Sequence, residues 1–324
     1  MSNKNILFSI ILAVRNKENY ISQTIISCIN QIINPDKFEI IVINDASTDK
    51  SKNKIESLIN EFENFTFINL KKKVGPGIAR NRGIKVAQGR FILFLDGDDQ
   101  LKTDALKIIS KKILLNPEII TFNFDKIFNK NKKKLLARKD FSQICKNKIK
   151  LITNFLSGEI DGSVIFTCYN KIFLLKNNIR FPRGLHEDII FIFKCYLFAK
   201  KIIKIRKSLY IKNEVKNSIT ATISYERIND LLSIHMKLIR VLKEKKLYTR
   251  DMLNKAMRGF VGFMADSLLE VKKDKKLNNN KKTKIIRLIS RKSLFFSKLK
   301  LYKFKTKKDY IFKKFIYIKD NNYI

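Results

Sequence analysis

Four short apolar runs in the first 95 residues, separated by stretches of helical periodicity, constrain this chain more than any other feature. They cover residues 6–14, 38–44, 65–70 and 91–95 and are apolar almost throughout, as strands buried on both faces must be. Between them, Ile21, Ile25, Ile29 and Ile32 share one face of residues 20–33, with Pro35 beyond. Ile55, Leu58, Ile59 and Phe62 have the same spacing within 51–62. The third connection, 77–87, runs to Gly89, which its position marks as a helix C-cap. Strands and helices alternating in this way predict an α/β fold, Rossmann-like, with helices flanking a mostly parallel central sheet.

Past Leu101 the pattern continues with a helix over 104–115 stopped by Pro117, a strand over 119–124 and a hairpin through Asn129, Lys130 and Asn131. Extended segments follow at 163–169 and 202–211, and helices at 187–199 and 225–246. Residues 272–284, with Asn278, Asn279 and Asn280, read as a polar linker. A hydrophobic content of 45%, with 10 Gly and 4 Pro, excludes collagen-like, disordered and disulfide-scaffold chains. Cys28, Cys145, Cys168 and Cys195 lie far apart, without the spacing of a metal pair or a CxxC motif, and read as reduced core residues. The apolar run nearest to a membrane span, 189–199, is short and interrupted by Lys194. Residues 6–14 imitate a signal peptide, but Arg15, Asn16, Lys17 and Glu18 stand where a cleavage site needs small residues. The expected location is therefore cytoplasmic.

Charge is distributed unevenly. Residues 1–100 carry a net +3, whereas the last 54 residues hold 19 basic and 3 acidic side chains, out of a total of +39. The tail has two readings. Arg287, Arg291, Lys292, Lys298 and Lys300, interleaved with Leu294, Phe295, Phe296, Leu299 and Leu301, suit peripheral contact with an anionic leaflet at the inner face of the cytoplasmic membrane. They equally suit a basic helix pair that packs its apolar side on the rest of the protein.

In an open parallel sheet, ligands bind outside the carboxyl ends of the strands. The polar residues at those ends here are Arg15 to Glu18, then Asn44, Asp45, Ala46, Ser47, Thr48 and Asp49, then Asp96, Gly97, Asp98 and Asp99. Three carboxylates within four residues either rise in pKa or are neutralised by a cation. Hard oxygen donors suit Mg²⁺ or Mn²⁺, and an acidic turn capping the next helix is the alternative. Asp45 is placed to accept from a nucleobase while Ser47 and Thr48 cap the following helix. Arg80 and Arg82, behind Gly75, Pro76 and Gly77, are placed to meet phosphate.

These blocks, taken in order, resemble the signature of family 2 glycosyltransferases: residues 8–16, 39–49, 77–83 and 94–99. The resemblance is close over about the first 100 residues and extends to about 220. It implies a GT-A fold, a nucleotide-diphosphate-sugar donor (usually UDP-linked), a divalent cation and inversion at the anomeric carbon. Asp45 matches the carboxylate on the uracil ring, and Asp96, Gly97 and Asp98 match the DXD motif, with Asp96 near the ribose and Asp98 on the metal. Ala13 and Arg15 stand where the family has Pro and Tyr, so the base-stacking ring is absent. With Asn16, Glu18, Arg80 and Arg82 they complete the expected donor pocket. The later family Glu-Asp pair is matched by Glu187 and Asp188, with Asp188 the expected base and Glu187 beside it. Ser218, Ile219 and Thr220 resemble an acceptor-side segment.

The resemblance implies a GT-A domain over 1–220, with a nucleotide half to residue 100 and an acceptor half beyond, followed by a helical basic region over 221–324. It implies a hexosyl- or N-acetylhexosaminyltransferase acting on a glycan or glycolipid acceptor, of the kind that builds lipooligosaccharide, lipopolysaccharide or capsule. The rival reading is a noncatalytic basic module binding membrane or nucleic acid on a degenerate nucleotide fold. No helix-turn-helix, zinc or RNP signature supports specific nucleic-acid binding.

Overall fold

A computed structural model describes residues 5–128, 132–136, 147–160, 162–214, 224–247, 249, 252, 267, 269, 271 and 278–297. The chain divides into two compact units. One is Met1–Lys148 with Asp161–Lys216, and the other is Ile149–Ile160 with Asn217–Ile324.

The first unit opens with β1 (Phe8–Val14), α1 (Ile21–Ile29), β2 (Phe38–Asn44), α2 (Ser51–Glu56), β3 (Phe65–Asn69), α3 (Pro76–Val86) and β4 (Phe91–Asp96). β1 pairs in parallel with both β2 and β4, and β2 with β3. The central strands are buried on both faces, which is why they read as unbroken apolar runs. Beyond β4 come β5 (Gln100–Leu101), α4 (Ala105–Ile113), β6 (Ile119–Phe128) and β7 (Lys132–Leu136). After α5 (Lys148–Leu156) follow β8 (Thr167–Asn170), α6 (Lys171–Lys176), α7 (Glu187–Phe198) and β9 (Ile202–Asn213). The sheet order is β3-β2-β1-β4-β8-β6-β9-β5, with β7 on β6. It is parallel as far as β4 and mixed beyond, since β8 runs antiparallel to both β4 and β6.

Several local expectations are corrected. Gly89 does not cap α3, which ends at Val86 with Ala87 as its C-cap. Its need for glycine is steric, because a Cβ there would lie 2.5 Å from the carbonyl carbon of Phe8. Its N–H donates to Ser9 and Glu39, satisfying a buried carboxylate at the start of the sheet. The helix expected to run to Phe62 stops at Glu56, and Phe62 turns in to stack on Phe38 at 4.8 Å. α1 stops at Ile29 because Gln31 leaves the helix to bond the Lys102 carbonyl and the Leu106 N–H.

The second unit contains α5, α8 (Tyr225–Glu244) and α9 (Asn279–Ser297). Ile228, Leu231, Ile234, Leu238 and Leu242 form the buried stripe of α8, and Ser224 caps it by accepting from the Arg227 N–H. The expected linker is helical from Asn279, because the Asn278 side chain accepts from the Lys281 N–H and starts α9 there. α9 lies against α8. Ile285, Leu288 and Ile289 are buried, while Lys281, Lys284 and Arg287 face solvent. Among the described residues, no helix is long and apolar enough to cross a membrane. Asn129 to Asn131, Cys145, Ser218 to Thr220 and Lys298 to Leu301 lie outside the described residues. Cys28, Cys168 and Cys195 are buried free thiols.

Candidate active site

Parallel pairing places the ends of β1, β2 and β4 side by side, with Ala13 level with Ile43 on one neighbour and Asp96 on the other. The loops after β1 and β2 are zipped together. Arg15 donates to the carbonyl oxygens of Asp45 (2.6 Å) and Ala46 (2.7 Å). Asn16 bonds both Ser47 and Thr48, and Glu18 accepts from the Lys50 N–H while its own N–H donates to Asp49. Ser47 and Thr48 therefore do not cap α2. The N-cap of α2 is Lys50, which has no side-chain cap bond, and Asp49, one residue earlier, accepts from the Ser51 N–H at 3.0 Å. Asp45 is buried, and its two carboxylate oxygens accept from the Val74 N–H (2.6 Å) and the Gly75 N–H (2.9 Å). Those bonds tie the entry of α3, where Gly75 has φ +91°, to the end of β2.

The DXD segment is held from two sides. Lys17 pairs with Asp98, its stem lying against Gly97, where a Cβ would be 3.3 Å from Lys17 Cγ. Asp99 is buried and accepts from the Tyr210 hydroxyl (2.7 Å) and the Asn213 N–H (2.8 Å), which ties the segment to β9. Burial, reinforced by Asp96, pushes the Asp99 carboxyl up to about 7.

Arg80 and Arg82 part company. Arg82 is exposed on α3, whereas Arg80 is buried, with Nη2 donating to Asp96 Oδ1 at 2.9 Å. Nη1 of Arg80 donates to Asp188 Oδ1 at 2.8 Å and to Glu187 Oε1 at 3.2 Å. One guanidinium thus gathers the first DXD carboxylate and the Glu-Asp pair that opens α7. Burial works against charged Asp96, but Arg80 and Lys212 outweigh it and hold its pKa low. Burial also raises Glu187, to about 7 with help from Asp188, and raises Asp188 despite Arg80. At the same time these carboxylates push the Arg80 pKa up. About a third of the Asp96 and Asp188 side chains remains accessible, against 5% for Glu187.

Among the described residues, no group of three or more His, Cys, Asp or Glu side chains forms a closed metal cage. The donor set still fits a hard divalent cation of the kind completed by substrate phosphates, since Asp98 offers carboxylate oxygens beside a glycine. Sequence reasoning missed Lys17, Lys212, Tyr210 and Asn213 as neighbours of the acids. Lys17 was findable, because it stands in the polar turn that follows β1. The β9 residues were not, because only the long-range pairing of β9 with β5 and β6 brings them to the site.

The family model for glycosyl transferase family 2 matches residues 9–179. A poly(ribitol-phosphate) beta-glucosyltransferase of Bacillus spizizenii is 30% identical over 214 residues, covering 60% of this chain and 30% of that protein. The chain thus spans under a third of that relative's length. Staphylococcus aureus TarS, solved with UDP-GlcNAc, superposes with a TM-score of 0.70 at 21% identity, covering 89% of this chain and 80% of that one. A Pyrobaculum calidifontis mannosyltransferase solved with GDP-Man and Mn²⁺ gives 0.52 at 14% identity, covering 97% and 84%.

Proposed function

Because the chain belongs to glycosyl transferase family 2, we propose that it transfers one sugar from a UDP-linked donor, with inversion, to a hydroxyl of a bacterial surface polymer or glycolipid. The observation that carries this reading is the convergence of Asp96, Glu187 and Asp188 on Arg80, beside the carboxyl ends of β1 and β2 where a donor nucleotide belongs. Relatives that glycosylate poly(ribitol-phosphate) support a polymer acceptor. Lipooligosaccharide, lipopolysaccharide and capsule remain acceptors of the same kind, a polyhydroxylated surface chain.

In this reading the protein's own residues do the following. Asp45 and the backbone it orders at Val74 and Gly75 receive the base, Arg15 and Asn16 shape that corner through the β1 and β2 loops, and Asp96 faces the ribose. Asp98 would hold the cation, Mn²⁺ or Mg²⁺, which when bound would supply charge neutralisation of the diphosphate leaving group. Asp188, gripped at Oδ1 by Arg80, uses Oδ2 to take the proton from the acceptor hydroxyl, and its raised pKa strengthens it as a base. A single displacement follows, so the anomeric configuration inverts.

The test is UDP release from UDP-glucose and UDP-GlcNAc in the presence of ribitol-phosphate polymer or glycolipid acceptors. Asp188→Asn should abolish transfer, a loss on the order of 100-fold or more for a general base, and keep UDP binding. Full transfer by Asp188→Asn would sink the assignment of the base.

A further inference from the structure

We propose that Arg80 is a positioning residue that fixes the carboxylate of Asp188 and locks α7 to β4, rather than a ligand of the donor phosphates. The inference rests on the reading of Asp188 as the base.

The sequence puts Arg80 on a glycine-led helix entry, where a phosphate is the expected partner. The structure gives both of its terminal nitrogens to carboxylates instead, on partners 16, 107 and 108 residues away. The side chain is 6% accessible, and its Cζ lies 5.4 Å from the centroid of the Phe181 ring. Space for this arrangement is built in at Gly77, where a Cβ would fall 2.5 Å from Glu187 Cγ and 2.9 Å from Phe181 Cβ. The absence of a side chain there lets α3 and α7 approach closely enough for one guanidinium to span both acids and β4.

A planar fork suits this task and an ammonium does not, because the fork fixes the direction of each acceptor as well as its charge. The groups facing Asp188 are Arg80 from α3, Asp96 from β4, Glu187 from its own helix and Lys212 from β9. Burial and Asp96 favour the protonated form, and Arg80 and Lys212 oppose them. Arg80 alone among these is hydrogen-bonded to Asp188, so it sets the orientation of that carboxylate while its charge opposes the protonation that burial favours.

Arg80→Lys keeps the charge and removes the fork. UDP affinity by calorimetry and steady-state UDP release from UDP-glucose and UDP-GlcNAc are compared across the full-length wild type, Arg80→Lys, Asp188→Asn and the double variant. Positioning requires UDP affinity within about threefold of wild type, kcat at least about tenfold lower with little change in donor KM, and no further loss when Arg80→Lys is added to Asp188→Asn. A tenfold loss of UDP affinity with kcat unchanged returns Arg80 to the phosphates and overturns the proposal. So does a kcat loss that adds in full to that of Asp188→Asn. If Arg80→Lys does not fold, the pair Arg80→Gln with Glu187→Gln, which removes a cation and a buried acid together, carries the same expectations. A wild type that binds no UDP, or an Asp188→Asn variant as active as wild type, overturns the functional reading itself and is seen before Arg80 is touched.

Discussion

Two acidic corners of one crevice are neutralised in opposite ways. At Asp98 the partner is Lys17, a compact ammonium on a flexible stem, with 26% of its side chain accessible. At Asp96, Glu187 and Asp188 the partner is Arg80, a buried planar fork shared by three acids. The ammonium can leave its carboxylate for solvent at little cost, whereas the guanidinium has nowhere else to go. One charge is therefore exchangeable and suits a corner that, in the proposed reaction, accepts a cation and a diphosphate. The other belongs to the framework that holds the crevice in shape.

The comparison predicts unequal responses to losing each cation. Arg80→Met leaves three carboxylates without their shared partner and should cost ~3–5 kcal/mol, read from the urea midpoint of the full chain. A smaller effect should appear with pH. The Glu187 carboxyl, up at about 7 in the folded chain, titrates near ~4.3 when unfolded. Folding therefore strengthens its hold on the proton, so its stabilising contribution is complete below ~4.3 and is lost as pH rises through ~7. The loss across that window is on the order of 3 kcal/mol. Glu187→Gln should flatten that slope, and an unchanged slope would remove Glu187 as its cause. The smallest effect belongs to Lys17→Met, at ~1 kcal/mol or less by the same denaturation. A Lys17 variant as damaged as the Arg80 one would erase the distinction between the corners.

How much of this could be read in the sequence depends on how local the cause is. β1, β2 and β4 declare themselves because burial on both faces leaves no room for polar residues, and their ends fall within two residues of the expected positions. The acids at those ends were legible for the same reason, since a strand's carboxyl end is where the polar residues resume. Phe62 shows the limit: its helical spacing with Ile55 is real, but the Phe38 ring, far away in sequence, draws it out of the helix. Arg80 shows the limit at the site. Its charge was visible, but its partners at Glu187 and Asp188 lie more than a hundred residues away, and no local pattern announces them. Tyr210, Lys212 and Asn213 are hidden in the same way by the register of β9 on β5 and β6. The short helix α6, only six residues long and capped by the Asn170 side chain, offers too little periodicity to be seen.

The most direct test of the donor site is the thermal stability of the full chain with UDP, with and without Mn²⁺, beside Asp98→Asn, since a ligand that binds the native state alone must raise stability. The account predicts a rise with UDP that Mn²⁺ enlarges in the wild type and fails to enlarge in Asp98→Asn. No shift with UDP in either protein, or an Mn²⁺ enhancement that survives in Asp98→Asn, would contradict it.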